Sequence, residues 1–174
     1  VLAYSVLLHD IAKRSTDDAE CGADHALNGA LMAEKILKRL RFSGSTVLDV
    51  THCIRGHSIL WHARDLSRSE LIRMICDDIF FVRLELHRLD ISAGSGDADS
   101  YDYLKQALEE MEHRKLPEPW IKGEDLISLG IQEGPAFGNL IKELYDAQLN
   151  GLCSSKKELM KIAAVRAADL KETM

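Results

Sequence analysis

Apolar residues recur along this chain at three- and four-residue intervals, and no stretch alternates apolar with polar residues as a half-buried strand does. The pattern predicts an all-α fold. Val1 to Leu8 lie on a first helix that the spacing carries to about Arg14, and residues 15–24 read as a polar loop. A second helix is expected from His25 to Arg41, with Leu27, Ala30, Leu31, Ala33, Ile36, Leu37 and Leu40 on its buried side. Ser45 is the expected N-cap of a third helix, which carries Val47, Val50, Ile54 and His57. Ser67-Arg68-Ser69-Glu70 has the form of a capping box, and one long helix is expected from there to about Ala93.

The pattern breaks at Gly94 to Ser100 and resumes in a helix from Tyr101 to about Arg114. Pro117 and Pro119 then interrupt it, which places a boundary between a body (residues 1–115) and a tail (residues 116–174). Gly123-Glu124-Asp125-Leu126 opens the tail. Gly134-Pro135 starts a helix that runs to Asn150 and stops at Gly151, the usual order of proline at the start and glycine past the end. Ser155-Lys156-Lys157-Glu158 is a second capping box, opening a last helix to about Lys171. Gly94-Ser95 followed by Asp97-Ala98-Asp99 has the letters of a nucleotidyl-transfer signature. Aiming two carboxylates at one metal in that way needs a strand, and this segment lies between helices, so the reading is rejected.

Composition narrows the function classes. A chain of 174 residues, 46% hydrophobic and 29% charged, is an ordinary globular chain with room for one core and a small appended unit. No segment is long and apolar enough for a bilayer span, so no membrane role is expected. Cys21, Cys53, Cys76 and Cys153 form no CxxC pair and read as thiols of a reducing, cytoplasmic protein. The opening valine reads as the interior of a longer protein. A net charge of −6 argues against a chain that grips nucleic acid over its whole surface. The charge is uneven, with eight basic and four acidic residues from Leu31 to Arg73 and six basic and thirteen acidic from Cys76 to Asp125. One side could meet a phosphate backbone, or the runs are solvated helix faces.

The chemistry concentrates in His9-Asp10, His25, His57 and Asp90, on four predicted helices. Imidazoles and carboxylates together are costly to bury unless a cation sits among them. A helix bundle can bring such residues to one interior point. Mixed nitrogen and oxygen donors suit Mn, Ni, Co, Fe or Zn, and oxygen-rich variants tolerate Mg. Such a site supports phosphoester hydrolysis, with Asp10 and Lys13 as the catalytic candidates and Lys13 placed to meet a phosphate oxygen. His52 lies about 140° from His57 on a helix, and His57 is the one chosen. His87 reads as a surface partner of an acid. The alternative for all five is a satisfied hydrogen-bond cluster with no ligand.

The order His9-Asp10, His25, His57, Asp90 within Leu7-Leu8-His9-Asp10-Ile11-Ala12-Lys13 resembles the HD superfamily of metal-dependent phosphohydrolases, which are all-helical. Leu37-Lys38-Arg39-Leu40-Arg41-Phe42-Ser43 resembles a stretch in the C-terminal part of bacterial tRNA nucleotidyltransferases and poly(A) polymerases. Leu129-Gly130, Gly134-Pro135, Gly138 and Leu144-Tyr145-Asp146-Ala147-Gln148-Leu149-Asn150-Gly151 resemble that family's closing segment.

The resemblance implies an HD helical bundle followed by a small helical tail, a divalent metal, and a nucleotide or RNA 3′-end phosphate as substrate, with tRNA as a partner. Nucleotidyl transfer in that family belongs to an N-terminal strand-containing head that this chain lacks. Some members hydrolyse 2′,3′-cyclic phosphates at the HD site, and in others the body is scaffold. Two departures stand out: the family's additional upstream histidine is not in this chain, and Ala12 replaces the usual glycine.

In the tail, the turn Gly134, Gly138 and Asn139, with Lys142 one helical turn on, would present free backbone N–H groups to an RNA phosphate. The competing reading is that the glycines allow tight helix packing. Two functions follow: a phosphohydrolase, or a silent scaffold that holds tRNA for a head domain elsewhere.

Overall fold

The computed structural model describes residues 1–13, 24–96, 98–111, 113–132 and 134–172. Among them every regular element is a helix, and there is no strand. Helices α1 (Leu2–Leu8), α2 (Asp24–Arg39) and α3 (Gly44–Arg55) are followed by a 3₁₀ segment, Ser58–Asp65. Then come α4 (Arg68–Cys76), α5 (Phe80–Asp90), a π turn over Ile91–Ser95, and α6 (Asp99–Glu109). The remaining helices are α7 (Gly123–Ser128), α8 (Pro135–Leu149) and α9 (Lys156–Glu172). No helix among the described residues is long and apolar enough to cross a membrane.

The chain divides into two compact units: Val1–Leu66 with Met74–Arg114, and Ser67–Arg73 with Lys115–Met174. The first is built around Leu8, Ala30, Ala33, Leu37, Val47, Val50 and Ile54, which join α1, α2 and α3. The second has its own core of Ile121, Leu126, Leu140, Leu144, Cys153, Leu159 and Ala163. Residues 67–73, which the sequence pattern joins to the body, group with the tail.

Helix α1 stops at Leu8, earlier than the periodicity suggests; the expected end at Arg14 and residues 15–23 of the expected loop, with Cys21, lie outside the described residues, and Asp24 already begins α2. The His9 ring donates through Nδ1 to the Val6 carbonyl at 2.9 Å. That carbonyl is the acceptor the Asp10 amide would use in a continuing helix. Helix α2 is rotated from its expected face. Ala26, Ala30, Ala33 and Leu37 are buried, whereas Leu27, Leu31 and Leu40 are 44%, 44% and 56% exposed. Small residues let neighbouring helices approach closely, and that closeness decides which stripe faces inward.

The α2–α3 connection explains the Leu40-Arg41-Phe42-Ser43 wording. Arg41 takes a left-handed φ of 60°, and Phe42 N–H returns to the Leu37 carbonyl at 3.1 Å, closing the end of α2. Phe42 packs edge-on against Tyr4 at 4.6 Å. Ser43, not Ser45, caps α3 by accepting from the Thr46 amide at 3.2 Å.

The long helix expected from Ser67 to Ala93 is two. Asp77 Oδ1 accepts from the Ile79 amide at 3.1 Å, and Arg114 donates to the carbonyls of Ile75 (2.8 Å) and Asp77 (2.5 Å). Side chains thus supply the partners that end α4, with no glycine or proline to signal it. The Ser67–Glu70 capping box forms as expected, with Ser67 N–H donating to Glu70 at 2.8 Å. In the second box, the Glu158 amide donates to Ser155 Oγ at 3.3 Å, while the Glu158 carboxylate accepts from Ser154 N–H at 2.8 Å.

Candidate metal centre

The rejected nucleotidyl-transfer reading has a structural counterpart. Asp99 opens α6 and is held by Arg64 through Nε at 2.6 Å and Nη2 at 2.8 Å, while Asp97 lies outside the described residues.

His9 and Asp10 sit in the turn that follows α1, His25 at the start of α2, and Asp90 at the end of α5. His57 lies past the end of α3 rather than on it: Gly56 is the C-cap, and His57 leads into the 3₁₀ segment. Ligand atoms of Asp10, His25 and His57 all lie within 4.8 Å of one another. The His9 and His57 rings, and the His25 and His57 rings, stand 5.4 Å apart edge to face. His9 Nε2 is 3.5 Å from Asp10 Oδ2 and 3.8 Å from Asp90 Oδ1. His52, by contrast, is half exposed and lies 3.7 Å from Asp77.

The backbone sets the tautomers of two of these rings. A carbonyl can only accept, so His9 Nδ1 must carry a proton toward Val6, and His57 Nδ1 one toward the Ile54 carbonyl at 2.6 Å. In each neutral ring Nε2 is then a lone pair, the arrangement of a metal-ligating histidine. Burial pushes the His57 imidazole below its ordinary range, outweighing the Ile54 bond, and the charges of His9 and His25 add to that. Burial pushes the Asp10 carboxyl up, but the Lys13 hydrogen bond and charge, with the neighbouring His9 and His57 rings adding whenever they are protonated, more than offset it. The site therefore holds its carboxylate ionised and His57 neutral, the protonation state a cation needs.

The observation that tests the fit is His9 Nε2. It is buried with no hydrogen-bond partner, and it faces two carboxylates. When Nε2 is unprotonated its lone pair toward two anions is repulsive, and a cation among them, a metal ion or a proton, turns repulsion into attraction. First-row divalent ions hold nitrogen and oxygen donors about 2.0–2.2 Å away, which puts the donors roughly 3–4 Å apart. A slight contraction of the present cluster reaches that spacing, so the residues are a possible His/Asp site for a divalent cation. Lys13 borders it, its Nζ donating to Asp10 Oδ2 at 2.8 Å while the side chain stays largely exposed. Ala12, which stands where the resembled family has glycine, is 1% exposed, and its methyl lies 3.9 Å from where a Cβ on Gly29 would stand. It faces α2.

Residues 1–81 match the HD domain family. The match covers a little under half of the chain. It takes in His9, Asp10, His25 and His57, and Asp90 lies beyond it. HD domains bind divalent metals. A CC-adding tRNA nucleotidyltransferase of Thermus thermophilus is 32% identical over 164 residues, covering 88% of this chain. The chain spans 37% of that relative's length. No solved structure matches the chain.

The tail's expected RNA contacts are partly revised. Gly134, Gly138, Asn139 and Lys142 are all exposed. A Cβ on Gly134 or Gly138 would meet nothing within 4 Å, so the packing of the described chain does not require either glycine. The supply of free amides is smaller than expected: Phe137 and Gly138 both donate to the Gly134 carbonyl, at 3.1 and 3.3 Å, and Pro135 has no N–H.

His87 is the residue that sequence reasoning misplaced. It is 2% exposed, and its Nε2 is 2.8 Å from Ser100 Oγ, so it is not the surface partner of an acid. Its spacing of three before Asp90 was the available signal.

Proposed function

We propose that the HD domain is a divalent-cation-dependent phosphohydrolase acting on a nucleotide or an RNA 3′-end phosphate, within a protein of the tRNA nucleotidyltransferase type. The observation that supports this best is the buried, unpartnered His9 Nε2 facing Asp10 and Asp90 beside the Asp10–His25–His57 cluster. His9, Asp10, His25, His57 and Asp90 would hold the ion. When bound, a divalent ion supplies a Lewis-acid centre that acidifies water and neutralises charge on a phosphate. Asp10 orients Lys13, whose exposed ammonium would take a phosphate oxygen of the substrate. His9 and His57, each locked by a backbone carbonyl, keep their lone pairs aimed without reorganisation when substrate arrives.

The tRNA partner, and an N-terminal nucleotidyltransferase head, rest on the relative named above. The exposed Gly134–Lys142 turn, with no packing use for either glycine, supports an RNA-contacting tail. In the alternative the helical chain is a silent tRNA scaffold.

The deciding experiment is hydrolysis of 2′,3′-cyclic AMP with Mn, Ni, Co or Mg, each beside Asp10→Ala. Turnover that requires both the cation and Asp10 is expected. Absence of turnover with every metal would leave the scaffold reading in its place.

A further inference from the structure

Besides the candidate ligands, the first unit buries one more imidazole. His87 stands one helical turn before Asp90 on α5, and its Nε2 bonds Ser100 in the first turn of α6 at 2.8 Å. Trp61, four residues past His57 in the 3₁₀ segment, packs edge-on against the His87 ring at 4.4 Å. A Cβ on Gly96 would stand 2.6 Å from the Trp61 ring, so the chain between α5 and α6 is threaded directly over that indole. Between Asp90 and Ser100 the backbone makes a π turn with a left-handed Gly94, φ 96°. The end of α5 is held by its own backbone and by Ser92, so the His87–Ser100 bond is what ties α5 to α6 across this turn.

His87 therefore touches the segment that follows His57 and lies on the helix that carries Asp90. A leucine or phenylalanine would fill the space without leaving a polar atom unpaired, yet His87 Nδ1 is buried with no partner. Filling the space is thus a poor account of this side chain.

We propose that His87 is a positioning residue of the HD centre: through Ser100 and Trp61 it sets where the His57 segment and Asp90 stand relative to each other. This rests on the metal reading above. Partners bonded directly to a ligand change metal affinity about 10–100-fold when removed, and His87, one contact further out, is expected at the low end of that range.

The test uses the full chain carrying Ser100→Ala, His87→Ala or His87→Gln, the last keeping a polar group in reach of Ser100. Two quantities are read well below each variant's melting temperature: Mn²⁺ affinity, and the ¹⁵N imidazole resonances of His9 and His57 in metal-free protein. In Ser100→Ala and His87→Ala, Mn²⁺ binding is expected to weaken about tenfold and the His57 resonances to shift. His87→Gln should recover both. Unchanged affinity and unchanged resonances, with only the melting temperature lowered, would make His87 a core residue and overturn the proposal. Should His87→Ala not fold, Ser100→Ala decides by the same two readings. If the wild-type chain binds no Mn²⁺, the metal reading fails by itself, and the imidazole resonances still decide for or against positioning.

Discussion

The two units use their most recognisable residues in opposite ways. In the tail, each polar residue of Tyr145-Asp146-Ala147-Gln148-Leu149-Asn150-Gly151 ends on a partner within the unit. Tyr145 donates to the Pro117 carbonyl at 2.6 Å, and Asp146 accepts from Arg73 at 2.8 Å. Gln148 accepts from Trp120 N–H and donates to the Glu118 carbonyl, both at 2.9 Å. Asn150 accepts from the Ser69 amide at 2.8 Å, and Gly151 supplies the left-handed φ of 73° that ends α8. In the first unit the residues that converge leave His9 Nε2 buried and unmatched. Satisfied groups describe a scaffold, and an unmatched one among carboxylates describes a place for something else. Two equally recognisable motifs thus carry different meanings.

The contrast is broken most directly by Asp10→Ala. Divalent-metal binding should be abolished by calorimetric titration. The fold should change by less than about 1 kcal/mol, because the Lys13 pair it loses is a surface one. Equal metal content in mutant and wild type would remove the site assignment. The mirror experiment is Gln148→Ala. Losing a buried side chain that serves two backbone groups should cost about 2 kcal/mol in denaturant unfolding, with Mn²⁺ affinity unchanged. A loss of metal binding there would show that the two units do not divide the work.

A pH titration sharpens the comparison. The folded pKa of His57 is lowered below its unfolded value, so the folded state resists protonation. Stability should hold above the ordinary histidine pKa of about 6.5 and fall as pH drops below it, whereas metal affinity of the folded chain should persist to lower pH and fall only once the lowered His57 itself protonates. Asp10 is lowered too, so its contribution is present above about pH 3.9 and fades only at more acid values. Stability that stays flat from pH 7 to 5 would show that His57 is not held neutral by the fold.

The smallest effect belongs to Gly138→Ala. Open space at this helical position predicts a gain of about 0.5–1 kcal/mol in stability. If RNA lies against the face, tRNA binding by filter assay should weaken about threefold or more while stability rises. Unchanged tRNA binding would make this an ordinary solvated turn.

Much was legible in the chain itself. The helical period, the Ser67–Glu70 box, the Gly134-Pro135 start and the Gly151 stop are local events, decided by backbone hydrogen bonds within a turn or two. For the same reason the HD pair could be picked out by residue type. What the sequence could not decide involves partners distant along the chain. The break between α4 and α5 depends on Arg114 reaching back to Ile75 and Asp77. The inward face of α2 depends on how closely α1 and α3 approach its small residues. His87 looked like a surface residue until Ser100 and Trp61 were brought onto it. Periodicity reports which stripe of a helix can be buried, and residue type reports what chemistry is available. Which groups find partners, and which are left to face an ion, is settled only when separate segments share one interior.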